Sequence, residues 1–164
     1  MRRLLYLAFI FLFLLNPFVY SDSEPHRLED QAADLLDKGK GDEALVLLKK
    51  ITEERPEEAV VHMNYGSILF TKARVWFQSG NQNEAVPLFQ EAETHLQKAA
   101  ELAGEKEEAL KGQSYYLLGD IYFYVRQDLG KAKEFYEAAL KFYPEHSGAK
   151  KELERLNATQ SQVI

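Results

Sequence analysis

Residues 113–144 read QSYYLLGDIYFYVRQDLGKAKEFYEAALKFYP, and small and large apolar residues alternate along this stretch at helical spacing. Gly119, Ala132 and Ala139 are small enough to let two helices approach closely, and large residues surround them. The alternation therefore predicts two helices packed as a self-contained hairpin. Weaker copies of the pattern occur twice upstream. Repeated hairpins usually build a surface that holds another protein and not a catalytic pocket.

Helix signals also cover the rest of the chain after residue 25, and strong strand signals are absent. The first two predicted helices lie between Leu28 and Pro56, with Asp42 as the cap of the second. Asn83 is a suitable cap for the fourth helix, and Gly104 ends it. The remaining predicted helices cover about residues 57–78, 105–126 and 129–142.

Short turns separate these six predicted helices, so each helix must pair antiparallel with its neighbour. A further stripe of apolar residues, Ala149, Leu153 and Leu156, has charged residues on the opposite side. It predicts a final helix that covers the exposed end of the stack. The sequence thus predicts an all-α solenoid of about three antiparallel hairpins with a C-terminal capping helix.

These landmarks resemble the tetratricopeptide repeat (TPR) family, whose repeat has about 34 positions. The third hairpin matches best, after one inserted residue in the turn at residues 127–130. The first hairpin matches more loosely, and the second matches in part and lacks the proline. The resemblance assigns structural repeat positions to Ala44, Pro56, Gly66, Ala85, Gly119, Ala132, Ala139 and Pro144.

The second hairpin departs from the family spacing. Gly66 and Ala85 are 19 residues apart. The family pattern places the corresponding residues about 12 apart, so this hairpin has about seven extra residues, or two helical turns. One extra turn on each helix would preserve their facing sides. We therefore expect long central helices that protrude from the stack, and a protruding hairpin could pair with a second copy of the chain.

In the TPR family, the first helix of each hairpin lines a concave groove. The resemblance implies a groove that binds a peptide or helix of another protein, for which aromatic side chains are well suited. The alternative is that Phe70, Phe123 and Tyr124 pack against the capping helix or the protruding hairpin. The family's basic carboxylate clamp has no counterpart here, which argues against acidic chaperone tails. The predicted partner-binding residues are Met63, Ser67, Phe70, Tyr116, Asp120, Phe123 and Tyr124.

The composition excludes several functional classes. The chain has 164 residues, a net charge of −6 and no cysteine. An acidic protein repels phosphate backbones, so we expect no nucleic-acid partner. The absence of cysteine excludes disulfides, thiol catalysis and thiolate metal sites.

The amino terminus resembles a secretory leader. Arg2 and Arg3 precede an apolar run at residues 4–15, and small residues follow near Ser21. We predict a signal peptide at residues 1–21, a flexible neck at 22–25, a helical domain at 26–157 and a disordered tail at 158–164. The alternative is a retained membrane anchor at residues 4–20. Either arrangement places the domain outside the cytoplasm, in the periplasm or cell envelope if the source is bacterial.

No catalytic constellation accompanies these features. No two histidines have the spacing of a metal-ligand pair, so each is expected to be a solvated helix residue. We expect no metal, no cofactor and no catalytic residue. The sequence predicts an exported, non-catalytic interaction module or scaffold, with a membrane-anchored structural subunit as the alternative and an enzyme with an acidic groove as a minor one. The four histidines are His26, His62, His95 and His146.

Overall fold

The computed structural model describes the backbone of residues 24–161 and the side chains of residues 28–158. This part of the chain contains seven α-helices and no strand, which confirms the all-α fold. A 3₁₀ turn (Glu105–Glu107) precedes the fifth helix and a π-helix (Ile121–Arg126) continues it. The helices are α1 (Glu24–Asp37), α2 (Gly41–Glu54), α3 (Ala59–Gln78), α4 (Gln82–Leu102), α5 (Glu108–Asp120), α6 (Leu129–Phe142) and α7 (Ser147–Ser161).

The helices form three antiparallel hairpins, α1–α2, α3–α4 and α5–α6, and α7 covers the last of them. Helix α3 packs on α2, and α5 packs on α4 and α3, so the hairpins are stacked in chain order. The short solenoid with a C-terminal capping helix is therefore confirmed. Helix α1 begins within the predicted neck, and α7 continues into the predicted tail. The predicted signal peptide lies outside the described residues.

The helix ends depend on a few local features. Asp128 caps α6, because its side chain accepts a hydrogen bond from the amide of Lys131 at 3.0 Å. Gly39 and Gly80 have positive φ angles of 71° and 84°, which glycine adopts readily, and they turn the chain after α1 and α3. The expected caps Asp42 and Asn83 lie instead inside the first turns of α2 and α4.

The third hairpin is held by the contact between Gly119 and Tyr136. A Cβ atom at Gly119 would lie 2.5 Å from Cε1 of Tyr136, so only glycine fits there. The extra residue of this hairpin lies in the π-helix, not in the turn at residues 127–130. A π-helix places more residues in each turn than an α-helix does. Gln127 then ends the helix with a left-handed φ of 55°.

The second hairpin has a different register from the one counted in the sequence. Gly66 packs against Leu96 and the carbonyl oxygen of Ala92, 3.0 and 3.3 Å from the position of its missing Cβ. Ala85 is also fully buried, but it lies nearer the tip of the hairpin, in the same cluster as Phe89. Each of the two helices is thus about two turns longer than the family pattern requires, whereas the sequence predicted one extra turn for each.

The core consists of two hydrophobic clusters. The larger one joins residues of α1 to α5, and the smaller one joins Ala132, Tyr136, Ala139, Ala149 and Leu156 of α6 and α7. Tyr115 and Tyr116 pack against both clusters. Among the described helices, none is both long and apolar enough to cross a membrane.

Candidate functional site

The predicted binding residues lie on α3, on α5 and in the π-helix that continues α5. These are the first helices of the second and third hairpins, and together with α1 and α7 they border one face of the stack. We call this the concave face. Its predicted residues differ widely in exposure. Phe70 and Asp120 are buried, Tyr124 is 45% exposed, and the other four are half-buried.

Met63 and Ser67 belong to the part of the concave face nearest the amino terminus. Ser67 lines a shallow cavity of about 180 Å³ together with Glu29 and Leu36 of α1. Its hydroxyl donates a hydrogen bond to the carbonyl of Asn64 at 2.9 Å. The first and second hairpins therefore share a continuous depression here.

Phe70 is not available at the surface. It is 4% exposed, and its ring lies 5.9 Å from the ring of Phe89 on α4. The guanidinium of Arg74 covers the ring at 5.6 Å. These contacts follow the packing alternative, in which Phe70 stabilises the long central hairpin.

Asp120 lies at the floor of the concave face, with 5% of its surface exposed. The hydroxyl of Tyr136 donates a hydrogen bond to Oδ1 at 2.8 Å, and Tyr116 donates a second one. Burial raises the pKa of the Asp120 carboxyl to about 6, although both hydrogen bonds oppose the shift. No lysine or arginine among the described residues forms an ion pair with it within 4.0 Å.

Tyr116 links the floor of this face to the turn before α7. Its ring lies 6.0 Å from Tyr136 and 4.3 Å from His146. His146 is buried and forms a 2.9 Å hydrogen bond with Gln113, so the expectation that it is a solvated residue is wrong. Burial raises the pKa of Tyr116 to about 12, with the Asp120 carboxylate as a smaller cause. Tyr116 is therefore a neutral hydrogen-bond donor at physiological pH.

Phe123 and Tyr124 contact the capping helix. The guanidinium of Arg155 on α7 lies 5.0 Å from the ring of Phe123 and 5.8 Å from that of Tyr124. Its Nη1 donates a hydrogen bond to the hydroxyl of Tyr124 at 2.9 Å. Both rings keep exposed area. Phe123 and Tyr124 therefore pack against the capping helix, as in the packing alternative. Their role in binding a partner stays a prediction.

A contact between His62 and His95 was not foreseen. His62 is 3% exposed, and its Nδ1 lies 2.8 Å from Nδ1 of His95. The expectation that His62 is solvated is therefore wrong, while the side chain of His26 lies outside the described residues. The two histidines face each other across the antiparallel helices α3 and α4, so their pairing depends on the register of the second hairpin. Only a correct register, with Gly66 facing Leu96, could have indicated the pair.

A larger cleft of about 620 Å³ lies between the α1–α2 turn and α3 and shares Leu36 and Ile68 with the depression that Ser67 lines. Its apolar lining includes Leu36, Leu45, Ile68 and Trp76. Within the described part of the chain, no group of three or more histidine, cysteine or acidic side chains could hold a metal ion.

Comparison with solved structures places this fold among TPR domains. The chain is similar to the first TPR domain of Spaghetti (RPAP3) bound to the HSP90 peptide SRMEEVD, with a TM-score of 0.61 and 23% identity over 82% of this chain and 90% of that one. It is also similar to the first TPR domain of human RPAP3, with a TM-score of 0.53 and 23% identity over 82% and 91% of the two chains. No family model matches the sequence, and neither does any curated protein. At this identity the likeness concerns the fold.

Proposed function

We propose that this protein is a non-catalytic interaction module that binds a peptide or helical segment of another protein on its concave face. The observation that carries the proposal is the row of incompletely buried side chains from Met63 and Ser67 to Tyr116, Phe123 and Tyr124. Aromatic side chains contribute large contact areas at a small entropic cost. The similarity to a TPR domain in complex with a peptide is consistent with this use of the fold.

The charges of the concave face favour a partner segment that is not acidic. The carboxyl of Asp120 is buried at its floor, and Glu152 lies beside it with only 13% of its side chain exposed. Arg155 pairs with Glu152 at 3.5 Å, whereas Asp120 forms no such ion pair among the described residues. Bringing an acidic segment next to Asp120 would cost electrostatic free energy, which is largest where water is excluded. An apolar or basic segment fits the face better than an acidic chaperone tail does.

The sequence supports a further part of this proposal, which concerns where the protein acts. We infer that the protein is exported and acts in the periplasm or cell envelope, because residues 1–21 have the features of a cleaved leader. The alternative is a membrane-anchored structural subunit that retains residues 4–20. Mass spectrometry of the purified protein distinguishes the two, since a mature amino terminus near Asp22 would remove the anchor.

Self-association is a second candidate function, and the 620 Å³ cleft beside the long α3 favours it. Val75 lines this cleft and is 53% exposed, so a second copy could bury apolar surface there. Sedimentation of the purified protein over a range of concentrations tests this. A monomer at every concentration would contradict it.

The groove is tested by exchanging an exposed aromatic residue for alanine and capturing partners from cells of the source organism. Tyr124→Ala removes a ring that is 45% exposed on the concave face, whereas Val46→Ala alters a 74% exposed residue on α2. We expect Tyr124→Ala to reduce recovery of the specific partner at least about tenfold, as loss of an aromatic hot-spot contact does. Val46→Ala should leave recovery unchanged. Equal recovery by both folded variants would contradict the assignment of the concave face.

A further inference from the structure

One end of the concave face already holds a cation. Arg155 of α7 places its guanidinium 5.0 Å from the ring of Phe123 and 5.8 Å from that of Tyr124. It also donates hydrogen bonds to the hydroxyl of Tyr124 at 2.9 Å and to Glu152 at 3.5 Å. We call Phe123, Tyr124 and Glu152 the guanidinium site, because together they provide two ring faces and one carboxylate.

The parts of this site differ in how firmly they are held. Glu152 has 13% of its side chain exposed, and the nearby Asp120 carboxyl is buried beneath it. Phe123 and Tyr124 are packed edge to face, with ring centroids 4.7 Å apart. Arg155, in contrast, has 55% of its side chain exposed. The carboxylate of the site is therefore well buried, whereas the cation reaches in from the solvent.

We propose that the guanidinium site binds an arginine side chain of the partner, and that Arg155 occupies it when the protein is free. The inference rests on the proposed function and specifies the chemistry of the partner at the α5–α7 end of the concave face. Arginine suits the site better than lysine, because its planar guanidinium both stacks on aromatic rings and donates several hydrogen bonds.

Exchange of one arginine for another requires that the internal one be released at low cost. The ion pair with Glu152 is long, at 3.5 Å, and the Arg155 end of it is 55% exposed. Cation–π contacts and ion pairs that water reaches are each weak, because water and salt screen them. Occupation by Arg155 should therefore reduce the affinity for an external arginine only about fivefold. A partner segment that also contacts Tyr116 and Met63 would overcome this competition. A single arginine derivative would bind the unaltered protein about fivefold more weakly than it binds a variant without Arg155.

The test uses the purified protein with Arg155→Ala and, as the probe, Nα-acetyl-arginine methylamide, followed by NMR. We expect saturable shifts of the Phe123 and Tyr124 resonances, with an affinity about fivefold higher in Arg155→Ala than in the unaltered protein. The neutral isostere Nα-acetyl-citrulline methylamide should not bind. Arg155→Gln removes the charge with a smaller change of shape, and it should behave like Arg155→Ala.

The inference would be overturned by no saturable shift in either folded variant, by equal affinity for the citrulline probe, or by equal affinity with and without Arg155. Adding Glu152→Gln to Arg155→Ala should abolish binding, and unchanged binding there would also contradict it. The outcome is separate from the test of the groove. Partner capture that depends on Tyr124, without arginine binding, would leave the proposed function standing and remove only this inference.

Discussion

The packing between α5 and α6 depends on Gly119, Tyr136 and Asp120. Gly119 allows the ring of Tyr136 to lie against the helix backbone, and Tyr136 in turn donates its hydroxyl to Asp120. Tyr136 is fully buried, so its polar atom needs a partner inside the protein. Asp120 thus serves the packing of the third hairpin as well as the floor of the concave face. This double role explains why an acidic residue is tolerated at a buried position.

Asp120→Asn should stabilise the protein at neutral pH. The folded pKa of Asp120 is about 6, above the ordinary value of 3.8, so the folded protein binds the proton more tightly than the unfolded chain does. The resulting stability is full below pH 3.8 and is lost as the pH rises through 6. We expect the variant to match the unaltered protein near pH 4 and to exceed it by about 2 kcal/mol at pH 7.5.

The measurement is urea unfolding of both proteins at a series of pH values. Groups that titrate equally in both cancel in the difference, which isolates Asp120. Asparagine retains an oxygen that can accept the hydrogen bond from Tyr136, so packing should be preserved. A difference in unfolding free energy that does not change between pH 4 and pH 7.5 would refute the raised pKa.

The sequence predicts a helix well where its signals allow one arrangement, and poorly where they allow two. Helix α6 has the predicted bounds 129–142, because Asp128 caps its start and Pro144 follows its end. The register of α4 could not be derived in the same way. Ala85, Phe89 and Ala92 have the same spacing as Ala92, Leu96 and Ala99, shifted by two turns. Either set satisfies the repeat pattern, and only the three-dimensional packing shows that Gly66 faces Leu96.

The candidate site was predictable in composition but not in its contacts. The repeat positions indicated Tyr116, Asp120, Phe123 and Tyr124, and the structure places all four at the α5–α7 end of the concave face. The repeat pattern could not predict two features of the site. The π-helix changes the direction of side chains after Ile121, and the cation that covers the rings comes from a different helix.

The histidine pair links α3 to α4 and to the turn before α3. Nε2 of His62 lies 2.9 Å from the carbonyl oxygen of Pro56, which can only accept a hydrogen bond. His62 therefore carries its proton on Nε2 in the neutral form, and its Nδ1 accepts a hydrogen bond from Nδ1 of His95. Tyr65 of α3 packs edge-on against His95 and donates its hydroxyl to Glu91 of α4.

His95→Gln should reduce the loss of stability on acidification. Burial lowers the pKa of His95, and the neighbouring His62, Lys98 and Lys49 act in the same direction against Glu91. The unfolded chain therefore takes up a proton near pH 6.5 before the folded protein does, so stability falls as the pH drops below about 6.5. Because His95 is half-buried, we expect a slope well under 1.4 kcal/mol per pH unit.

The experiment compares thermal or urea unfolding of His95→Gln and of the unaltered protein between pH 7.5 and pH 5. Gln97→Ala is the matched control, because it changes an exposed, uncharged neighbour on α4. The control should keep the full pH dependence. If His95→Gln kept it as well, the lowered pKa of His95 would not contribute to stability.

The connection between the two hydrophobic clusters determines how the solenoid unfolds. Repeat proteins are stabilised by contacts between neighbouring units, so distant units can unfold separately if the interface between them is weak. Here Tyr115 and Tyr116 pack against both clusters, and Tyr136 reaches Asp120 on the floor of the concave face. The interface is thus built from large side chains that are buried or half-buried, and we infer that the three hairpins and α7 unfold together.

Leu156→Ala tests this cooperativity from one end of the stack. Leu156 of α7 is 1% exposed and belongs to the smaller cluster, whereas Trp76, the single tryptophan of the chain, packs against the larger cluster through α3. The loss of a buried leucine side chain should lower the free energy of unfolding by about 2–4 kcal/mol. If the clusters are coupled, Trp76 fluorescence and far-ultraviolet circular dichroism must shift to the same lower urea midpoint.

Lys150→Ala on the exposed side of α7 should shift neither. A Trp76 transition that stays in place while circular dichroism changes would show that the capping helix and the third hairpin unfold independently, because the tyrosine contacts would then be too weak to transmit the loss.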